Sequence, residues 1–225
     1  DISGATSNTL TTNQSAASWY QLVVACNATD VAISTPVFVG QNTPTDCYCT
    51  PPTTNCNLSD NILNVTMGAL NNTSTCGTNG YTNYIGDPAV NIPSVYAGTS
   101  IPVSVTVGAG GTEQVAAWID YNRNGIFENS EWKQLSLTSA TGTVINNNIS
   151  IPANAQAGIT GMRIRTRSSN STNDSTSSCT NFGNSGETED YLITIVAASA
   201  CIAPPNPGVL SVTDTLACAN SPVTF

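Results

Sequence analysis

The sequence predicts an all-β protein built around a β-sandwich, and three observations support this fold class. Several segments alternate apolar and polar residues with a period of two, which is the pattern of half-buried strands. Good helix formers are sparse, and 17 glycines and 12 prolines recur between these segments as turn residues. A hydrophobic content of 40% is enough for a real core. Short strands separated by turns are typical of a sandwich.

The main strands can be placed in order along the chain. We predict them at residues 101–107, 115–119, 133–137, 144–151, 162–167 and 191–196. In the segment 162–167 three arginines share one face, and Met162, Ile164 and Thr166 share the other. The segment 191–196 is almost continuously apolar, as expected of a strand buried inside a sandwich.

Two proline-rich segments divide the chain into three predicted parts. The segments are 50–54 and 203–208, and such stretches form semi-rigid spacers between β domains. Residues 47–198 are predicted to form the central sandwich domain. Residues 1–46 are predicted to be the C-terminal part of an immunoglobulin-like domain, and residues 199–225 the N-terminal part of a further one. We therefore expect a window on a longer repetitive protein, or a subunit whose partial domains are completed by its neighbours.

Composition excludes several classes of function. Five Lys+Arg against 14 Asp+Glu give a net charge of −9, so the chain is poorly suited to bind the phosphate backbone of nucleic acid. The absence of histidine excludes a Ser-His-Asp triad, a Cys-His pair and a histidine-bound zinc. No stretch reaches the ~18 apolar residues of a membrane span, so we expect no membrane insertion. Eight cysteines in such a chain indicate disulfides and an extracellular or cell-surface location.

The loop 120–131 carries the sharpest local motif. Counted from Asp120, oxygen donors recur at positions 1, 3, 5, 7, 9 and 12, and Gly125 stands at position 6, which is the pattern of a twelve-residue calcium loop. The predicted Ca²⁺ ligands are Asp120, Asn122, Asn124, the main-chain carbonyl of Ile126, Glu128 and Glu131. Strand-like segments flank the loop, so it is not a helix–loop–helix site. The alternative is a metal-free hairpin with a type I′ turn at Asn124-Gly125.

A second acidic cluster precedes the last strand, in the segment 186–191. Glu187 and Glu189 share one strand face, where they could form cross-strand ion pairs with Arg163 and Arg165. Two alternatives remain open. Glu189 or Asp190 could bind a metal, or the cluster could do general acid–base chemistry, although no nucleophile is recognisable nearby.

Together these residues resemble the GEVED domain, a β-sandwich module of large secreted proteins of Bacteroidetes-type bacteria. The resemblance covers residues 48–196 and is carried by Tyr48-Cys49-Thr50-Pro51, Trp118-Ile119-Asp120-Tyr121-Asn122-Arg123-Asn124-Gly125 and Gly186-Glu187-Thr188-Glu189-Asp190-Tyr191. Thr188 stands where the name-giving motif has valine. The resemblance implies a secreted or surface repeat, often exported by the type IX route and found in adhesins or beside enzyme domains.

Cysteine pairing follows from this layout. Cys56 and Cys76 flank the first strand region and are expected to pair. Cys49 and Cys179, near the two ends of the domain, are expected to form a second disulfide. Cys47 and Cys201 could pair with each other or with their partial immunoglobulin-like domains, whereas Cys26 and Cys218 are expected to pair outside this chain segment.

We therefore expect a non-enzymatic structural or adhesive module, stabilised by calcium, in a long adhesin or extracellular filament. Its expected partners are other copies or neighbouring repeats. One alternative is a glycan-binding module that uses Tyr81, Tyr84 and Trp132, unless these rings only pack against strands. The other is an accessory module of a larger secreted hydrolase.

Overall fold

The computed structural model describes residues 2, 7, 9–12, 14, 16–26, 29–56, 60–181, 183 and 185–198. The predicted part 199–225, with Cys201 and Cys218, lies outside the described residues. Within that described part the chain is all-β, as predicted. None of its helical segments is long and apolar enough to cross a membrane. The strands are β1 Ser18–Tyr20, β2 Val23–Ala25, β3 Val31–Ile33, β4 Val37–Val39, β5 Ile62–Met67, β6 Leu70–Thr73, β7 Tyr81–Asn83, β8 Ser94–Tyr96, β9 Ser100–Val107, β10 Glu113–Ile119, β11 Trp132–Ser136, β12 Val144–Ser150, β13 Gly158–Ser168 and β14 Thr188–Val196.

Two sheets form the sandwich. The larger has the strand order β11-β10-β13-β14-β7, with β8 also paired to β14, and the smaller has the order β12-β9-β5-β6. Neighbouring strands are antiparallel, except that β7 and β8 both run parallel to β14. One hydrophobic cluster contains buried residues of both sheets, so the sheets face each other across a shared core. The predicted β-sandwich is therefore confirmed.

Period-two alternation explains how the core is filled. In β10, Val115, Ala117 and Ile119 point into the shared core. Met162 and Ile164 of the neighbouring β13 do the same, as their alternation predicted. Because β10 and β13 pair in register, with Ala117 opposite Ile164, these side chains form a continuous apolar surface.

The opposite face of the larger sheet is also buried, because three segments cover it. We call residues 43–49, 120–131 and 174–181 the outer layer. Tyr48 and Phe127 of this layer pack on a second apolar cluster around Trp118 of β10. Burial on both faces explains why Arg163 and Arg165, which point away from the core, are nevertheless fully buried.

The N-terminal strands form one interrupted hairpin. β1 pairs with β4, and β2 pairs with β3, all antiparallel. The ladder breaks before β4, where Pro36 has no N–H to donate, although Ser34 still donates to the Leu22 carbonyl at 2.9 Å. The assignment of this hairpin to an immunoglobulin-like domain stays a prediction.

Candidate calcium loop and buried acidic motif

The loop 120–131 connects β10 to β11, which form an antiparallel pair, so the expectation of a loop between two strands is confirmed. Asp120 directly follows β10 and is fully buried. A 3₁₀ turn, Asn129–Glu131, closes the loop just before β11. Strand pairing thus brings the first and last predicted ligands, Asp120 and Glu131, to the base of one loop.

Backbone amides orient the Asp120 carboxylate. Oδ1 accepts from the Asn124 N–H at 3.1 Å, and Oδ2 accepts from the Gly125 N–H at 2.9 Å. The Tyr48 hydroxyl of the outer layer also donates to Oδ2, at 2.8 Å. The loop is therefore curled around its first carboxylate, and the segment before β5, the first strand of the sandwich, takes part in holding that carboxylate.

The two asparagines repeat this arrangement at the next alternate positions. Oδ1 of Asn122 accepts from the Asn124 N–H at 3.1 Å, and Oδ1 of Asn124 accepts from the Ile126 N–H at 2.9 Å. Each of these oxygens keeps a second lone pair for another partner. The amide groups of both asparagines donate to Glu128, each at 3.0 Å, so the Glu128 carboxylate lies across the mouth of the loop.

Glu131 is buried at the end of the loop. Its Oε1 accepts from the N–H groups of Tyr121 (2.7 Å) and Asn122 (3.3 Å), and its Oε2 accepts from the Glu128 N–H at 3.0 Å. Burial raises the pKa of Glu131, and the charge of Asp120 adds to the effect, although the backbone donors oppose it. Two close acidic groups with this electrostatic conflict are the kind of environment that a cation relieves.

Gly125 is required at position 6 for two reasons. Its φ of +81° lies in the left-handed region, which L side chains rarely adopt. A Cβ here would also lie 2.6 Å from the Cβ of Cys47, which packs directly against the loop. A glycine at this position fits both a calcium loop and a tight metal-free hairpin, so Gly125 does not distinguish the two interpretations.

The donor set decides what kind of metal could fit. Among the described residues no three Cys, Asp or Glu side chains converge as a metal group, so the carboxylates of Asp120, Glu128 and Glu131 are not gathered around one point in this structure. A hard cation that accepts amide and main-chain oxygens is the type that the loop suits, and Ca²⁺ is such a cation. The six predicted ligands stay a prediction.

The acidic motif at the start of β14 has other partners than we expected. β13 and β14 pair with Arg163 opposite Asp190 and Arg165 opposite Thr188. The predicted pairing of these arginines with Glu187 and Glu189 is therefore wrong, because the register places both glutamates on the core face. Arg163 instead forms a two-pronged ion pair with Asp190, with both N–O distances at 2.7 Å.

Arg163 also joins the outer layer to the sheet. Its guanidinium donates to the main-chain carbonyls of Cys49 (2.7 Å) and Ser178 (2.8 Å) and lies 4.8 Å from the ring centre of Phe127. Tyr81 donates to the same Asp190 carboxylate at 2.8 Å. One buried charge pair thus ties together β7, β13, β14 and all three segments of the outer layer.

Arg165 lies two residues further along β13, on the same buried face as Arg163. It donates to Thr188 Oγ1 at 2.8 Å, to the Thr180 carbonyl at 3.0 Å and to the Ser177 carbonyl. Burial lowers the pKa of Arg165 to about 9, and the nearby charge of Arg163 adds to this shift. These carbonyls fix the segment 177–180 against the sheet.

The two glutamates of the motif have separate partners inside the sandwich. Glu187 accepts from the N–H groups of Ile62 (2.8 Å) and Gly77 (2.6 Å), which links β14 to the start of β5 in the opposite sheet. Glu189 is fully buried and accepts from the Tyr191 hydroxyl at 2.6 Å. Burial raises the pKa of Glu189 to about 8, and the charges of Glu187 and Asp190 raise it further.

Both predicted disulfides are present. Cys49–Cys179 has a Cα–Cα distance of 6.2 Å and fastens the outer layer above Arg163. Cys56–Cys76 has a Cα–Cα distance of 5.5 Å and flanks β5 and β6. Cys26 and Cys47 are exposed, and neither has a disulfide partner among the described residues.

The three aromatic rings considered for glycan binding lie in two places. Tyr81 and Tyr84 line an open cleft of about 560 Å³, together with Thr75, Thr78 and Asn83. Tyr84 stacks on the buried Tyr191, with ring centres 5.2 Å apart, so its ring also packs against a strand. Trp132 packs with the cluster around Trp118, on the other side of the larger sheet. The three rings therefore do not form one continuous aromatic face.

Several of these features have no local signal in the sequence. Tyr48, which holds Asp120, is 72 positions away from it in the chain. The contacts of Arg163 with Cys49 and Ser178 likewise join distant segments. The alternation of β13 indicated which face its arginines share, and only the strand register could have identified their partners.

Comparison with known proteins agrees with the geometry in one part of the chain. No curated protein matches the sequence. The GEVED domain family model matches residues 114–194, which include the loop 120–131, β13 and the acidic motif. Residues 114–194, the part of the chain that carries the candidate loop and the buried acidic motif, thus match the GEVED domain family.

Proposed function

We propose that this chain is a non-enzymatic structural module of a secreted or cell-surface protein. The main support for this proposal is the structural role of the acidic motif. Asp190 holds Arg163, and Glu187 holds the N–H groups of Ile62 and Gly77, so both carboxylates fasten segments of the fold. Buried ionic networks of this kind are a structural reason for perturbed acidic groups, distinct from catalysis. The GEVED match supports a β-rich module of this type.

The disulfides support an extracellular location. Two disulfides persist in oxidising compartments and are rare in the cytosol. With low charge and a neutral surface of Thr, Ser and Asn, such a module suits a long adhesin or filament exported by the type IX route. Other copies of the chain or neighbouring repeats are its proposed partners.

We propose further that Ca²⁺ stiffens the module at the loop 120–131. The oxygens of Asp120, Asn122 and Asn124 are already turned inward by backbone N–H groups, so binding would cost little reordering. Glu128 would close the site from the solvent side, and Glu131 from its base. When bound, the ion would supply the positive charge that the buried pair Asp120 and Glu131 lacks.

Calorimetry of the full chain tests the calcium proposal. The parent should bind one Ca²⁺ at the loop with a Kd of roughly 10⁻⁴–10⁻³ M, the range of extracellular modules. Glu131→Gln should abolish this binding, whereas Asp87→Asn, at an exposed position outside the loop, should leave it intact. Equal heats for the parent and Glu131→Gln would refute the ligand set.

The structural role itself is tested by assembly. Sedimentation and electron microscopy of the native material should show chains or filaments made of repeated modules. Hydrolysis of a polysaccharide or peptide by the purified chain would overturn the non-enzymatic proposal.

The cleft lined by Tyr81 and Tyr84 supports glycan binding as a second candidate function. Its wall presents threonine hydroxyls and the Asn83 amide, which suit an uncharged sugar. A glycan array should detect binding that Asn83→Ala weakens, and Asn146→Ala, at an exposed position on the other sheet, serves as the control. Absence of any bound glycan would remove this candidate and leave the structural role unaffected.

A further inference from the structure

A second buried acid lies far from the loop and the motif. Glu113 begins β10 and is fully buried, on the same face as the core residue Val115. Ser139 fixes its backbone, since it accepts from the Glu113 N–H at 3.1 Å and donates its own N–H to the Glu113 carbonyl at 2.9 Å. Both carboxyl oxygens of Glu113 nevertheless lack a hydrogen-bond partner among the described residues. A buried ionised carboxylate without donors is strongly unfavourable.

Another carboxyl group lies close to this end of β10, since a Cβ at Gly111, two residues before Glu113, would be 3.8 Å from Oδ1 of Asp60. Asp60 is 8% exposed and lies just before β5, in the opposite sheet. Its main-chain carbonyl accepts from Thr166 Oγ1 at 3.2 Å, which holds it at the end of the core. Burial, together with the nearby carboxyl group of Asp60, raises the pKa of Glu113 to about 8. A hydrogen bond between two carboxyl groups needs one proton between them.

Other charged groups near this end of the sandwich are engaged elsewhere. On β13, Arg163 binds Asp190, and Arg165 and Arg167 donate to carbonyls of the segment 172–180, on the face away from the core. On β14, Glu187 binds the N–H groups of Ile62 and Gly77. On β11, Lys133 is exposed and lies opposite Ala117, further along β10.

A metal ion is the other way to neutralise two carboxylates. Within the described part of the chain no third acidic or cysteine side chain joins Asp60 and Glu113. Calcium requires six to eight oxygens, and a buried position with two carboxyl groups offers few of them. The geometry therefore favours a proton over a metal.

We propose that Asp60 and Glu113 share one proton at neutral pH and that this hydrogen bond fastens the two sheets at one end of the sandwich. When base removes the proton, two carboxylates remain in a buried position without a cation, and they repel each other. The two sheets should then separate first at this end, between the start of β5 and the start of β10. The pair is a pH-sensitive clasp that acts separately from the calcium loop and the acidic motif.

The test compares the pH dependence of unfolding for the full chain and for Glu113→Gln. One proton held in the folded state makes the unfolding constant rise about tenfold per pH unit between the pKa values of the unfolded and folded chains. Between pH 5 and about 8, the unfolding constant of Glu113→Gln should rise ten times less per pH unit than that of the parent. Asp87→Asn, an exposed acid-to-amide change, should leave the slope as it is in the parent.

A spectroscopic measurement keeps the proposal testable if Glu113→Gln does not fold. Carbon NMR of the folded parent, labelled at glutamate carboxyl groups, should show two glutamates that are still protonated at pH 7, Glu189 and Glu113, and Asp60→Asn should shift the titration of only one of them. Identical slopes for the parent and Glu113→Gln would overturn the proposal. So would a calcium-dependent stabilisation that Glu113→Gln abolishes and Glu131→Gln retains, because that result would place a metal between Asp60 and Glu113.

Discussion

The ion pair between Arg163 and Asp190 allows the sharpest prediction for stability. Both side chains are at most 1% exposed, and the carboxylate accepts two guanidinium hydrogen bonds at 2.7 Å and one from Tyr81 at 2.8 Å. Asp190→Asn removes the negative charge and keeps the shape. The guanidinium then retains carbonyl acceptors at Cys49 and Ser178, which do not neutralise it.

The expected cost of Asp190→Asn is large because it leaves a buried charge without a counterion. Breaking a buried pair from one side typically costs about 3–5 kcal/mol, against a total stability of about 5–15 kcal/mol for a domain. Urea unfolding, followed by the fluorescence of the buried Trp118, should therefore shift to a much lower midpoint. The exposed control Asp87→Asn should change the free energy of unfolding by less than about 0.5 kcal/mol.

A double variant separates the pair from its surroundings. Arg163→Met combined with Asp190→Asn should be less destabilised than the sum of the two single changes, because the second change removes the charge that the first left unpaired. A loss below about 1 kcal/mol for Asp190→Asn would refute the reasoning, since that is the range of a solvated surface pair.

Three further predictions concern other parts of the fold. Glu189 holds its proton up to a pKa of about 8, so its own contribution to stability should be greatest at acid pH and fall by up to about 1.4 kcal/mol per pH unit as the pH rises to 8, in addition to the effect proposed for Glu113. Glu189→Gln should flatten that slope by one proton in urea titrations, and an unchanged slope would contradict the assignment. Replacing Cys56 and Cys76 by serine opens a loop with a sequence separation of 20, which should cost about 3 kcal/mol in thermal unfolding; equal melting temperatures would contradict this. Tyr48→Phe keeps the stacking on Phe127 but removes the hydroxyl that donates to Asp120 and accepts from the Gly161 N–H. We expect the free energy of unfolding to fall by about 1–3 kcal/mol, measured by calorimetry. An unchanged value would show that the hydroxyl is dispensable.

The strands of the sandwich could be predicted because alternation is local. The prediction at 101–107 became β9 Ser100–Val107, and that at 144–151 became β12 Val144–Ser150. The short β7 and β8 have weak apolar patterns and obtain their place from parallel pairing with β14, so local alternation does not predict them.

The burial of the arginines could not be predicted from the same pattern. Alternation in β13 separates two faces by chemistry, and a face of arginines normally indicates solvent. Here the outer layer covers that face, and its contacts come from Cys49 and Ser178, remote segments of the chain. Whether a polar face is exposed depends on tertiary packing that a local period does not contain.

The hydrogen-bond and ion-pair partners of the acidic motif could not be predicted, for a related reason. In a strand, a shift of one residue exchanges the two faces, so Glu189 and Asp190 differ completely in their surroundings. The pairing of Arg163 with Asp190 depends on the register of β13 and β14, which spacing alone does not fix. Similarly, Asp60 and Glu113 meet across the two sheets and leave no common motif in the sequence.

Calcium-dependent unfolding of the full chain tests the central claim of a calcium-stabilised structural module most directly. At about 10 mM free calcium, a site with a Kd of about 10⁻⁴ M contributes about 2.7 kcal/mol, and one with a Kd of about 10⁻³ M contributes about half of that. We predict that calcium raises the melting temperature of the parent over that in a chelator, and that Glu131→Gln loses this increase. Identical melting curves in calcium and in the chelator, or an equal increase for Glu131→Gln, would contradict the account.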